Sequence, residues 1–340
     1  MLASLIIAVH DNSARCGTSF SAMLPLMSGD FSSIDYGPVP PNLQAMALSL
    51  LISQEPPDEK AGRLKAIIAS TRDQADPFST LLAATDGPNV VGAGWGQRLP
   101  GQTALIWPPR VIDDRFEELT DRLQEELDIE LAAKGVQIAQ TLLPNIEDAD
   151  ARRLIRCGYE HAADLLYLVS VVGRERAEDS SGELDFEPFR EDQRLRLEGL
   201  VERTYVGSLD VPALDGKRDI NDVLDGYQQT GEFAPERWLF VRANGKDVGC
   251  LLLADHPELQ QCELVYMGIV PEARGNGFGA DVTAHAQTLA RRARRERLVL
   301  AVDASNDPAI VAYVEAGFVE WFRRAVLLKS FSSAANLPEA

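Results

Sequence analysis

Four cysteines and four histidines are all that this chain of 340 residues offers to metal or thiol chemistry. The cysteines, Cys16, Cys157, Cys250 and Cys262, form no C-x-x-C pair, and no histidine spacing completes a ligand set, so no metal centre is expected. Each cysteine reads as a small buried hydrophobe, and sparse thiols fit a reducing cytoplasm. Long apolar runs are missing too, and none reaches the roughly 20 residues that a membrane span needs. The apolar start, Met1 to Val9, is short and has no basic leader. It ends at His10-Asp11-Asn12 without a small-residue cleavage site, and reads as a strand or a ragged start rather than a signal peptide. Positive charge is in deficit: 33 Lys and Arg stand against 52 Asp and Glu, a formal net charge of −19. Such a surface repels phosphate backbones, which argues against nucleic acid, and it tolerates cationic partners.

What is present is a soluble-type composition, 45% hydrophobic and 25% charged, in a chain long enough for two ordinary domains. The stretch 173–182 is charged, small and non-periodic, and reads as a linker. It separates a first half, 1–172, from a second, 183–330, followed by a small polar tail, 331–340. In the second half, Arg237 to Ala243, Asp247 to Ala254 and Glu263 to Val270 read as strands. A helix follows from about Gly277 to Arg295, with Phe278, Val282, Ala286, Leu289 and Ala293 in one apolar stripe. Arg297 to Asp303 reads as a strand, Asp307 to Ala316 as a short helix stopped at Gly317, and Phe318 to Lys329 as one or two closing strands.

The first half repeats this plan. Ser79 to Thr85, Val90 to Gln97 and Thr103 to Val111 read as strands. A helix from about Asp113 to Lys134 carries Phe116, Leu119, Leu123, Leu127 and Leu131 on one face. Val136 to Leu143 reads as a strand and Asp148 to Cys157 as a short helix. Gly158-Tyr159 recurs as Gly317-Phe318, and Leu154-Ile155 precedes the first pair by the same spacing as Tyr313-Val314 precedes the second. An internal duplication is expected, with an α/β fold of mixed sheets flanked by helices in both halves.

The sharpest motif is Arg274-Gly275-Asn276-Gly277-Phe278-Gly279, between a strand and a helix. Glycines let the backbone approach a ligand, and the amides with the helix dipole favour an anion. Arg274 adds a guanidinium fork suited to phosphate. The spacing is neither that of a Rossmann dinucleotide loop nor that of a P-loop, which argues against a nicotinamide enzyme.

This motif resembles the pyrophosphate loop of the GNAT superfamily of acyl-CoA-dependent N-acyltransferases, with Arg274, Gly277 and Gly279 on the pattern Q/R-x-x-G-x-G/A. Asn306-Asp307-Pro308-Ala309, Tyr313 and Gly317-Phe318 resemble the superfamily's second signature. The tandem plan, and Glu263 to Gly268, are similar to mycothiol synthase-like members. The resemblance implies two tandem GNAT-like domains and acetyl-CoA as co-substrate. It implies an acetyltransferase acting on the amine of a small-molecule or peptide acceptor.

The same resemblance implies the roles. Strand backbone at Met267, Ile269 and Val270 would pair with pantetheine, beside a neighbouring strand that splays away. An amide near Met267 or Gly268 would polarise the thioester carbonyl. The amides of Gly275, Asn276, Gly277, Phe278 and Gly279 would hold the pyrophosphate, and Asn306 the pantetheine arm. Glu263 is the candidate general base, with Glu258 and Asp255 behind it, since an alkylammonium must lose a proton before it attacks. Tyr313 matches the general acid. The run Arg291, Arg292, Arg294, Arg295 and Arg297 suits a helix C-terminus. The acceptor is expected over the helices between Leu195 and Gly231, where Asp210 and Asp215 could receive a cation.

The corresponding place in the first half, Ile106 to Glu118, has no glycine, has Pro108-Pro109, and has carboxylates at the helix start that would repel a pyrophosphate. The asparagine signature fails there, and Leu154 stands where Tyr313 stands. One donor site per chain is expected, the first half serving packing, the acceptor cleft or homodimer contacts. A non-catalytic acyl-CoA sensor on the same fold is the alternative.

Overall fold

The computed structural model describes residues 34–71, 76–113, 116–173, 183–214 and 218–331. The expected start at Met1 to Val9, Cys16, Asp114, Arg115, Asp215, the linker beyond residue 173 and the tail beyond residue 331 lie outside them. Contacts divide the chain into an N-terminal unit, residues 34–161 with 327–331, and a C-terminal unit, residues 162–326. Among the described residues, no helix is long and apolar enough to cross a membrane.

The N-terminal unit begins with β1 (Ile34–Pro38), α1 (Gln44–Leu51), α2 (Pro57–Ser70), β2 (Leu81–Asp86), β3 (Asn89–Leu99) and β4 (Thr103–Val111). It continues with α3 (Glu118–Ala133), β5 (Ile138–Leu143) and α4 (Ala149–Arg156). The strands lie in chain order, antiparallel from β1 to β4, with β5 parallel to β4. The leucine stripe of α3 is buried. Gly92 and Gly96 make room for it on β3: a Cβ at Gly92 would lie 2.8 Å from Leu123 Cδ1, and one at Gly96 2.7 Å from Leu131 Cδ1. Each of those leucines is fully buried, so truncating one to Ala costs about 2–5 kcal/mol.

The C-terminal unit contains β6 (Glu160–Val171, from Ala162 on), β7 (Asp185–Pro188), α5 (Arg194–Tyr205), α6 (Ile220–Gln228), β8 (Trp238–Ala243) and β9 (Lys246–His256). Then come β10 (Gln261–Ile269), α7 (Phe278–Arg292), β11 (Arg297–Asp303), α8 (Asp307–Glu315) and the first part of β12 (Val319–Ser330). The strand order is β12-β6-β11-β10-β9-β8-β7. Residues of α7 and α8 share one core with β10 and β11, and residues of α5 and α6 share another with β8, β9 and β10. Each unit is by itself a mixed α/β arrangement of strands flanked by helices. The sequence puts the linker after β6, yet contacts group β6 with the C-terminal unit. The reason is its antiparallel register with β11, unbroken from Leu165↔Asp303 to Val171↔Arg297. Val319–Ser330 is one strand, not two.

Candidate active site

β10 and β11 are paired in parallel only from Gln261↔Arg297 to Leu264↔Leu300. Beyond that, β10 runs on to Ile269 and β11 to Asp303 without pairing with each other. A bulge between Leu264 and Tyr266, where β10 meets β9, accompanies the divergence. A groove of about 480 Å³ opens there, lined by Leu264 to Ile269, Ala301, Val302, the glycine loop and α8.

Which backbone groups face the groove follows from the ladder. Val270 N–H donates to Val248 O on the β9 side (2.9 Å), and Gly268 stands opposite Cys250. Strand alternation then turns the amide and carbonyl of Met267 and the amide of Ile269 away from β9, toward the open edge. Ile269 O accepts from Arg274 Nε at 3.0 Å. Val270 was expected to contact the cofactor through its backbone; its amide is instead committed to β9.

Gly275 and Gly277 take φ of +78° and +79°, and Gly277 is the N-cap of α7. A Cβ at 275, 277 or 279 would meet nothing within 4 Å, so the loop lies open with its amides at the positive end of a helix. Asn276 Nδ2 braces the loop by donating to Ala273 O at 3.0 Å. Arg274 was expected to aim its fork at phosphate. The structure gives it a different job: Nε, Nη1 and Nη2 donate to the carbonyls of Ile269, Gly207 and Thr204 at 3.0, 3.0 and 2.8 Å. It lines the groove as a clamp between the end of α5 and the end of β10.

Tyr313 of α8 is buried and lines the groove, and its hydroxyl has no hydrogen-bond partner among the described residues. Burial, then the Asp210 carboxylate, push its ionisation well above the usual tyrosine range. Asn306 lines the same groove and caps α8, its side chain accepting from Ala309 N at 3.4 Å. Asp210 also lines it, anchored through Oδ1 to Asp303 N at 3.2 Å, while Asp303 Oδ2 accepts from Val211 N at 3.1 Å. This exchange fixes the loop after α5 to the end of β11. It holds Val211 at φ +46°, a region that a β-branched residue rarely enters.

The carboxylates named first from sequence sit elsewhere. Glu263 is fully buried, is not among the groove-lining residues, and lies 2.9 Å from His256 Nε2 through Oε2. Burial raises its pKa, and the His256 contact partly offsets this. Its Oε1 and the Tyr167 hydroxyl are buried without hydrogen-bond partners among the described residues. Asp255 is paired with Arg237 and Arg295, at 2.7 and 2.5 Å, so burial is outweighed and its pKa falls. The same pairing accounts for one arginine of the basic run. Glu258 lies exposed in a turn. Sequence reasoning missed Thr204 and Tyr266, whose hydroxyls meet beside the groove at 2.7 Å. Nothing in the sequence pairs residues so far apart.

In the N-terminal unit, β4 and β5 diverge in the same manner, paired only from Thr103↔Ile138 to Leu105↔Gln140. There Arg110, on the unpaired part of β4, grips Asp150 in the first turn of α4 with two bonds of 2.8 and 2.5 Å. Leu154 is fully buried where α8 has Tyr313.

Residues 210–318 match the Acetyltransferase (GNAT) family. Among solved structures, a GCN5-related N-acetyltransferase from Sphaerobacter thermophilus aligns with a TM-score of 0.62 at 15% identity, covering 88% of this chain and 96% of that one. A GCN5-related glucosamine N-acetyltransferase region of a fungal multi-domain GH3 β-N-acetylglucosaminidase gives 0.61 at 13% identity. It covers 91% of this chain, which spans 39% of that longer protein. A tandem GNAT protein from the clavulanic acid biosynthesis pathway gives 0.54 at 12% identity, covering 87% and 98%. No curated protein matches the chain. The fold is thus that of tandem GNAT proteins.

Proposed function

We propose that the C-terminal unit transfers an acetyl group from acetyl-CoA to the amine of a small-molecule or peptide acceptor. The observation that carries this is the free edge of β10 beside an open glycine loop, with a tyrosine hydroxyl in the groove lining that has no partner among the described residues. The residues fit the donor. Amides of Gly275 to Gly279 would hold its pyrophosphate, the open-edge groups of Met267 and Ile269 its pantetheine amides, and Asn306 the arm between. When bound, acetyl-CoA supplies an electrophilic thioester carbonyl and a thiol leaving group.

The residues of the chain divide the remaining work. Met267 N–H faces the edge where a carbonyl oxygen gains charge, and it stabilises that charge. Asp210, with Oδ2 carrying no hydrogen bond among the described residues, receives the acceptor ammonium and takes its proton. Tyr313, kept protonated by burial, gives its proton to the departing sulfur. Glu263, the base that the resemblance implied, has its part behind the strand, where it ties the start of β10 to His256. Likeness to mycothiol synthase-like members rests on the tandem plan and on Glu263 to Gly268, and names no acceptor for this chain. The proposed setting is cytoplasmic, and Cys157, Cys250 and Cys262 are free thiols.

Release of CoA thiol from acetyl-CoA, followed with a panel of primary amines, tests the proposal. Amine-dependent release is expected. Tight acetyl-CoA binding with no release on any amine would favour a sensor.

A further inference from the structure

Behind the free edge of β10 stands a wall built from two hydroxyls. Tyr266 follows the bulge, lies against Tyr227 with ring centres 5.6 Å apart, and meets Tyr205 edge-on at 5.6 Å. Its hydroxyl is 2.7 Å from Thr204 Oγ1, which is 2.6 Å from Val201 O. A carbonyl only accepts, so Thr204 donates to Val201 and Tyr266 donates to Thr204. Both hydroxyl protons are therefore committed. Thr204 is 2% and Tyr266 8% exposed, yet both line the groove. Arg274 holds the Thr204 carbonyl as well. The pair stands over Gly268: a Cβ there would lie 2.6 Å from Thr204 Oγ1 and 2.8 Å from the Tyr266 oxygen. Space beside Met267 and Gly268 thus ends at a surface that is rigid, polar and already hydrogen-bonded within itself.

We propose that Thr204 and Tyr266 set the length of the acyl group the C-terminal unit accepts, limiting donors to acetyl and propionyl thioesters. This rests on the reading of the groove as an acyl-CoA site. With a thioester carbonyl at Met267 N–H, the acyl carbons point along the wall over Gly268. A second or further methylene gains no apolar burial there. To enter, it must push a tyrosine out of its stack with Tyr227 and break a closed chain of hydroxyl bonds.

Calorimetric titration of the full chain with CoA, acetyl-CoA, butyryl-CoA and hexanoyl-CoA tests this. For wild type, acetyl-CoA is expected to bind about as tightly as CoA, and hexanoyl-CoA at least tenfold more weakly. In Thr204→Ala the hexanoyl penalty is expected to shrink at least fivefold with CoA affinity unchanged, and Thr204→Ser is expected to restore it. Wild type that binds hexanoyl-CoA as tightly as acetyl-CoA overturns the inference, even where the alanine variant does not fold. So does an alanine variant that binds CoA normally and discriminates as before. Binding of none of the four, CoA included, overturns the reading of the groove itself.

Discussion

The two units build the same opening and line it differently. In each, a central strand leaves its parallel neighbour after a few pairs, at Leu264↔Leu300 in one and Leu105↔Gln140 in the other. In the C-terminal unit the freed edge runs past open glycine amides and a buried tyrosine. In the N-terminal unit it carries Pro108 and Pro109, which have no amide hydrogen to offer, and Arg110 turns across to Asp150. Leu154 is buried there in place of a tyrosine, so that opening has no phenol hydroxyl at this position. Strand divergence is thus a property of the scaffold, and the two openings differ in a handful of residues placed along it.

If the proposed function holds, making the C-terminal opening resemble the N-terminal one should have the largest effect. Gly277→Glu adds a strained φ, costing roughly 1–2 kcal/mol locally, and sets a carboxylate in the open cradle. CoA binding is expected to fall at least 100-fold while circular dichroism stays unchanged, and retained binding would remove the loop from the site. Asp210→Asn keeps an oxygen for the Asp303 amide but surrenders the charge. It is expected to lower kcat/KM for amines at least 30-fold and to leave acetyl-CoA affinity within twofold.

Tyr313→Phe copies the apolar character of Leu154. A drop in kcat of about tenfold, without loss of CoA affinity, is expected. The pH profile sharpens this. The folded tyrosine ionises above its usual value of 10.0, so its acid form persists as pH rises. Turnover should therefore show no alkaline decline from this residue between pH 7 and 10. A decline in that window that Tyr313→Phe abolished would contradict the assignment.

Changing the N-terminal unit should, on the same proposal, have the smallest effect on donor binding. Arg110→Met leaves Asp150 with Arg153, 3.0 Å away, as its remaining partner. A loss of about 1–3 kcal/mol in denaturant stability is expected, with CoA affinity unchanged. Altered CoA binding would mean that the N-terminal opening takes part after all.

Much of this architecture is legible in sequence because period and punctuation write it there. The stripe of α3, the glycine stop before Phe318 and the loop Arg274 to Gly279 all depend on neighbours in the chain. The functions of Glu263 and Arg274 were harder to read, because a one-dimensional motif names a residue without saying which way it points. Glu263 faces His256 within the sheet, and Arg274 spends its donors on carbonyls, since α5 and the loop after it come within reach only in the fold. β6 escaped the sequence boundary for the same reason: its partner strand lies far along the chain. Asp210 was named from sequence as a receiver for a cation, but its place opposite Tyr313 depends on the exchange with Asp303.

The central proposal is that only the C-terminal of the two openings binds the acyl donor. Titrating the full chain with acetyl-CoA by calorimetry measures it directly. One site per chain is expected, vanishing in Gly277→Glu and persisting in Arg110→Met. Two equivalent sites, or a single site that survives Gly277→Glu, would contradict it.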